Sequence, residues 1–191
     1  MPTVSNKMEN VRKVREYLEK LKDQNLDFVV LPEMFCCPYK TENFPAYAEE
    51  EGGEVWKQLS EYAKHYGIYL VGGSIPEKDA KGRVYNTTYV FDRQGKQIGK
   101  HRKAHLFDID VTGGQYFRES DTLTAGDSDT VFDTAFGKMG VIICFDIRFP
   151  EMVRMTVNDG AKVIFVPAAF NMTTCRRGSR PFAPVRWEPG T

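Results

Sequence analysis

Gly140-Val-Ile-Ile-Cys-Phe-Asp-Ile-Arg-Phe-Pro-Glu151 is the stretch whose reading decides the fold. Its β-branched run reads as a buried strand that delivers Cys144 to its end, and a polar turn containing Pro150 leads at once into a helix. A side chain at the carboxyl end of a strand sits where open α/β sheets put their chemistry. A cysteine there is either a nucleophile or a small core residue, because free cysteines are commonly just buried.

Two segments upstream bear on that choice. In Asp27-Phe-Val-Val-Leu-Pro-Glu-Met-Phe35 the four consecutive apolar residues form a buried strand. Pro32 lacks an N–H and ends the pairing. Glu33 therefore also stands at a strand end, flanked by Leu31, Met34 and Phe35. A carboxylate in apolar company is a candidate for proton transfer; the plain alternative is a surface-loop glutamate. In Gly99-Lys-His-Arg-Lys-Ala-His-Leu-Phe-Asp108 the basic cluster includes Lys103, whose ammonium beside a thiol would lower the thiol pKa and could hold an oxyanion. As a nucleic-acid footprint the cluster is poor in a chain of net charge zero.

In this order the three segments resemble the nitrilase superfamily of carbon–nitrogen hydrolases, closest to its omega-amidase branch. The resemblance maps a Glu–Lys–Cys triad onto Glu33, Lys103 and Cys144. It also covers Gly72-Gly-Ser-Ile-Pro-Glu77, Tyr85-Asn-Thr-Thr88, Phe117-Arg-Glu-Ser120 and Pro167-Ala-Ala-Phe-Asn171. It implies an α/β fold, the four-layer α-β-β-α sandwich, here incomplete. It further implies hydrolysis of the side-chain amide of small dicarboxylic acid monoamides through a cysteine thioester, with release of ammonia and without a metal or other cofactor. Glu119 matches the family's second glutamate, which orients the lysine; its alternative is an ordinary loop carboxylate. The backbone N–H of Phe145 is the implied second oxyanion donor. Asp146 and Arg148 are expected to fix the turn, and His101 and His105 to pack or hydrogen-bond. Two other functions stay open. One is another carbon–nitrogen substrate (an N-carbamoyl amine, another amide or a nitrile). The other is an inactive fragment that only binds a partner.

Composition agrees with this class without selecting it. The chain has 191 residues, enough for one domain with a sizeable core, and 26 basic side chains balance 26 acidic ones. Neither nucleic acid nor an anionic membrane is called for. No apolar run reaches membrane-spanning length, and no apolar signal core stands at the amino terminus. Four cysteines without metal-site spacing point to a reducing, cytoplasmic setting, and the neighbours Cys36 and Cys37 would make a poor chelate. The expected partner is a small-molecule amide, in a homodimer or larger assembly by the resemblance.

Helix and strand alternate along the chain, as a layered α/β domain requires. Helices are expected over residues 6–24, 53–65 and near 149–159. Strands are expected over 27–31, 68–71, 84–91, 97–100, near 130–135 and 138–143, and over 163–166. Residues 104–128 read as a long connection. The hydrolase domain is expected over residues 1–174, lacking the family's first strand and its carboxyl-terminal part. Residues 175–191, rich in Arg and Pro, lack periodicity and read as a non-family tail. Codons for Pro181–Trp187 can be written so that another frame gives a family-like helix, and a frameshift would account for the tail.

Overall fold

The computed structural model describes residues 3–110 and 116–169. Its elements are α1 (Lys7–Leu21), β1 (Phe28–Val30), α2 (Phe44–Tyr47), α3 (Glu54–Tyr66), β2 (Tyr69–Val71), β3 (Ile75–Lys78), β4 (Val84–Phe91), β5 (Gln97–Arg102), β6 (Asp108–Asp110), β7 (Tyr116–Arg118), β8 (Val131–Thr134), β9 (Gly137–Val141), α4 (Pro150–Asn158) and β10 (Val163–Phe165).

Helix α1 forms where Val11, Val14 and Leu18 recur at helical spacing and bury one face. Asn6 caps it by accepting the Glu9 N–H at 2.9 Å. Helix α3 buries Val55, Leu59, Tyr62 and Ala63 and stops at Gly67, whose left-handed backbone closes the last turn. Both helices cover one face of the first sheet, sharing a core with Leu70 of β2 and Tyr89 and Phe91 of β4.

In that sheet β1 pairs parallel with β2, and β2 and β3 pair antiparallel with the two halves of β4. Strand β5 lies on the other side of β4. The second sheet runs β10-β9-β8, parallel then antiparallel. Strand alternation sends Val71 and Val90 away from the helices, onto Phe132, Met139 and Val141 of the second sheet. Helix α4 covers the far side. A Cβ at Gly140 would come within 2.3 Å of Thr156 Cγ2, so glycine sets how closely α4 approaches β9. The order helix, sheet, sheet, helix gives four layers. Among the described residues β1 and β10 pair on one side only, and Phe28 of one meets Phe165 of the other at 5.2 Å between ring centroids.

The expected helices and strands fall close to where the structure has them. Four elements lie outside those expectations. The segment 75–78 forms β3, a short helix occupies Phe44–Tyr47, and the connection 104–128 contains the two-stranded β6–β7 ribbon. Strand β9 ends at Val141 rather than running to residue 143, although Ile142 and Cys144 go on donating to Phe165 O and Pro167 O. The expected domain boundary after Thr174 and the tail 175–191 lie outside the described residues. No helix among those described is long and apolar enough to cross a membrane.

Candidate active site

Strand β1 gives way to Leu31-Pro32, and Glu33 follows on a tight turn where Met34 takes a left-handed φ of 49°. The loop after β2 braces this turn. Ser74 Oγ accepts the Met34 N–H at 3.0 Å, and the Ser74 N–H donates to Pro32 O at 3.3 Å. Gly73 has φ +59°, and a Cβ there would lie 2.2 Å from Pro32 O, so only glycine fits.

Lys103 follows β5 directly. Its N–H donates to Asn86 O and its C=O accepts from the Gly126 N–H, both at 2.8 Å. Its ammonium, fully buried, lies 2.8 Å from Glu33 Oε1 and 2.9 Å from Glu119 Oε2. Burial works against that charge, but the two carboxylates outweigh it and hold the Lys103 pKa above its ordinary value. Glu119, on the turn after β7, accepts the Tyr39 hydroxyl at 2.7 Å and the Phe107 N–H at 2.7 Å. Burial, with the Glu33 charge adding to it, leaves the Glu119 carboxyl titrating above the usual range despite Lys103. Glu33 completes its shell with the Asn86 amide at 2.9 Å and the Ala169 N–H at 3.1 Å.

Cys144 opens the 3-10 turn Cys144–Arg148 and takes φ 44°, a conformation that costs a non-glycine residue about 1–2 kcal/mol. Hydrogen bonds along β10 and beyond fix it: Ile142 N donates to Phe165 O at 3.1 Å and Cys144 N to Pro167 O at 2.9 Å. The thiol is partly exposed, and Glu33 and Lys103 both act on it electrostatically. Burial first, then the Glu33 charge, push its pKa up to about 12, against the opposing pull of Lys103. Among the described residues nothing accepts the Phe145 N–H through the backbone.

Asp146, wholly buried, holds the same turn from behind. Its Oδ2 accepts the Ile143 N–H at 2.9 Å and faces His101 Nε2 at 3.0 Å, while Oδ1 accepts the His105 N–H at 2.8 Å and faces His105 Nδ1 at 2.9 Å. Burial works against the carboxylate, yet these bonds, that to His101 foremost, keep the Asp146 pKa below its ordinary value.

One expectation about this site needs correction. Glu33 is buried as expected but not in apolar company, since an ammonium, an amide and a backbone N–H meet its oxygens. Lys103 pulls the thiol pKa down as expected, but burial and Glu33 together exceed that pull. The sequence reading also passed over Tyr39 and Asn86. Asn86 carried a signal in hindsight, being a polar side chain on a strand buried along its whole length. A cavity of about 680 Å³ between Lys100 and Asp159 contains none of these residues. Its lining is polar, with Lys100, Ser128 and Thr130 among its residues, and it takes in neither Glu33, Lys103 nor Cys144.

With the fold and this cluster in hand, comparison with known proteins is informative. Residues 1–188 match the family model described as carbon-nitrogen hydrolase. The chain is 47% identical over 184 residues to "Nitrilase homolog 2" of Dictyostelium discoideum, covering 96% of this chain and 54% of that protein. It is 44% identical over 184 residues to "Omega-amidase NIT2" of Homo sapiens, covering 96% of this chain and 63% of the relative. The chain thus spans a little over half to under two thirds of the length of these relatives. The crystal structure of Saccharomyces cerevisiae Nit3, described as a member of branch 10 of the nitrilase superfamily, superimposes with a TM-score of 0.80 at 38% identity, over 90% of this chain and 62% of that one. By the extent of the family match and by its four-layer fold, the chain belongs to the carbon-nitrogen hydrolase family.

Proposed function

We propose that this chain carries the catalytic residues of an amidohydrolase acting on small dicarboxylic acid monoamides, as an omega-amidase does. The observation that carries the reading is the dry cluster in which Lys103 lies between Glu33 and Glu119 and acts, with Glu33, on Cys144. A thiol titrating near 12 stays protonated at neutral pH, so attack needs a base in place. Glu33 takes the thiol proton as sulfur attacks the amide carbon, and the proton transfer leaves the net charge of the cluster unchanged. Lys103 and the Phe145 N–H hold the tetrahedral oxyanion, where one donor is worth about 3 kcal/mol. Glu33 returns the proton to the leaving ammonia, then activates the water that splits the thioester. Glu119, itself pinned by Tyr39, keeps the ammonium aimed. The thiols of Cys36 and Cys37, buried and free, support a reducing, cytoplasmic setting. The homodimeric or larger assembly rests on the resemblance alone.

The test is ammonia release from 2-oxosuccinamate by the purified chain and its Cys144→Ala variant. Turnover by the chain, abolished in a folded Cys144→Ala, is the expected result. Turnover retained in the variant refutes the nucleophile assignment. Stoichiometric labelling of Cys144 without turnover by the parent chain refutes the amidase reading in favour of a binding-only fragment. Carbon dioxide released with the ammonia would instead mark N-carbamoyl chemistry.

A further inference from the structure

The two halves of the site reach the cluster by different routes. Lys103 hangs from β4 and the Gly126 loop in the first sheet, through Asn86 O and the Gly126 N–H. Cys144 hangs from the second sheet, through Phe165 O and Pro167 O. Two stacked sheets can slide by fractions of an ångström, because the apolar contact between them has no direction. One carboxylate ties the two routes together, and none of the mechanism above uses it. Asp146 lies two residues beyond Cys144 and accepts the Ile143 N–H on the near side of the thiol. The same carboxylate binds His101 and His105, the residues two before and two after Lys103.

Each link is short, and the one to His101 is shielded from water. The side chains of Asp146 and His101 are both 0% exposed. His105 lies flat on Phe149, with ring centroids 3.6 Å apart, so its ring cannot swing away from the turn. His101 Nδ1 also meets Thr130 Oγ1 at 3.3 Å, and Thr130 donates to Lys100 O at 2.9 Å, which anchors the first ring to β5. Four contacts on two carboxylate oxygens are more than a turn cap needs, since the Ile143 bond alone would serve that purpose.

We infer that Asp146 is a positioning residue: with His101 and His105 it clamps the segment carrying Lys103 to the turn carrying Cys144 and so holds ammonium and thiol in register across the two sheets. This rests on the reading of Cys144 as the nucleophile. Asp146 touches no reacting atom, and its effect passes through the Lys103–Cys144 separation.

The test compares alkylation of Cys144 by iodoacetamide at pH 9, read by mass spectrometry on the Cys144 peptide and normalised to folded protein. His101→Leu removes the fully buried arm of the clamp and leaves the His105 contacts in place, whereas His101→Gln keeps a donor close to the place of Nε2. If the clamp sets the register, His101→Leu weakens the influence of Lys103 on the thiol. Alkylation then slows about 10-fold, the lower end of what one nearby charge does to a titration. His101→Gln should stay within about 2-fold of the parent chain. On an amide substrate kcat should fall about 100-fold in His101→Leu, the cost of a displacement near 1 Å, with KM little changed. A purely structural role predicts the opposite alkylation result, since a loosened core exposes the thiol and speeds the reaction. Alkylation in folded His101→Leu that is unchanged or faster overturns the inference. Asp146→Asn, nearly isosteric, carries the same expectation should His101→Leu fail to fold. Alkylation needs no turnover, so failure of the amidase reading leaves this test intact.

Discussion

Replacing Glu33 by Gln should move two observables of the same thiol in opposite directions. The Cys144 pKa is pushed up to about 12, by burial first and by the Glu33 charge second. At pH 9 such a thiol is about one part in a thousand ionised, since each unit is a factor of ten. Glu33→Gln keeps the volume and an oxygen for the Asn86 amide, but removes the charge. A neighbouring charge shifts a titration by about 1–3 units, so thiolate at pH 9 should rise by about 10-fold or more. Burial remains, which keeps the midpoint above the ordinary cysteine value of about 8.5. Iodoacetamide alkylation of Cys144 across pH 8–10 should therefore become faster in the variant. Turnover should fall about 100- to 10,000-fold, because the group proposed to take and return the proton is gone. A structural lesion that merely opened the site would also lower the thiol pKa by relieving its burial, so the comparison holds only for a variant whose urea midpoint is unchanged. The reasoning is refuted if the variant alkylates more slowly than the parent, or if it keeps normal turnover.

Two further outcomes follow from the same charges. Lys103→Met leaves Glu33 and Glu119 buried without their cation, a change that costs about 3–5 kcal/mol and should show as a lowered urea midpoint. Adding Glu119→Gln to Lys103→Met should recover part of that loss, and no recovery would mean the cost is packing. Asp146 has a folded pKa below its ordinary value, so its contribution is complete above the unfolded value of about 3.9 and disappears as pH falls through the lower folded value. The stability difference between the parent chain and Asp146→Asn in urea should shrink as pH drops from about 5 toward 3, and a constant difference would deny the carboxylate this role.

The parts of this fold legible in the sequence are those whose signal is local. Val11, Val14 and Leu18 announce α1 by spacing, and the β-branched run 141–143 announces the approach to Cys144. Strand β3 was not legible because Ile75-Pro-Glu-Lys78 contains a proline and two charged residues. It exists because Glu77, on the sheet, accepts from Thr87, Lys100 and Arg102 at 2.6–3.0 Å. Those partners come from other strands, and no window around residue 77 contains them. The β6–β7 ribbon was hidden for a similar reason, since Asp108-Ile-Asp110 alternates too briefly to stand out.

Within the site, residue types were legible and their company was not. Apolar neighbours in sequence suggested an apolar pocket for Glu33, yet side chains alternate and the turn at Met34 points the carboxylate elsewhere. What it meets is Asn86 from β4 and Lys103 from beyond β5, 53 and 70 residues away. The sign of the thiol shift was likewise out of reach, because it is the resultant of burial and two opposed charges. His101 and His105 were expected to hydrogen-bond, but that both reach one carboxylate depends on how the two sheets stack.

The complete burial of Lys103 between its two carboxylates also bears on the medium around the protein. Mobile ions weaken interactions only where they can enter, over a distance of about 8 Å in physiological salt. The ammonium and its two partners have no solvent-exposed surface, so ions cannot come between them, and the proton transfer proposed between sulfur and Glu33 changes no net charge. In that proposed mechanism the electrolyte acts less on the proton transfer than on the approach of a charged substrate.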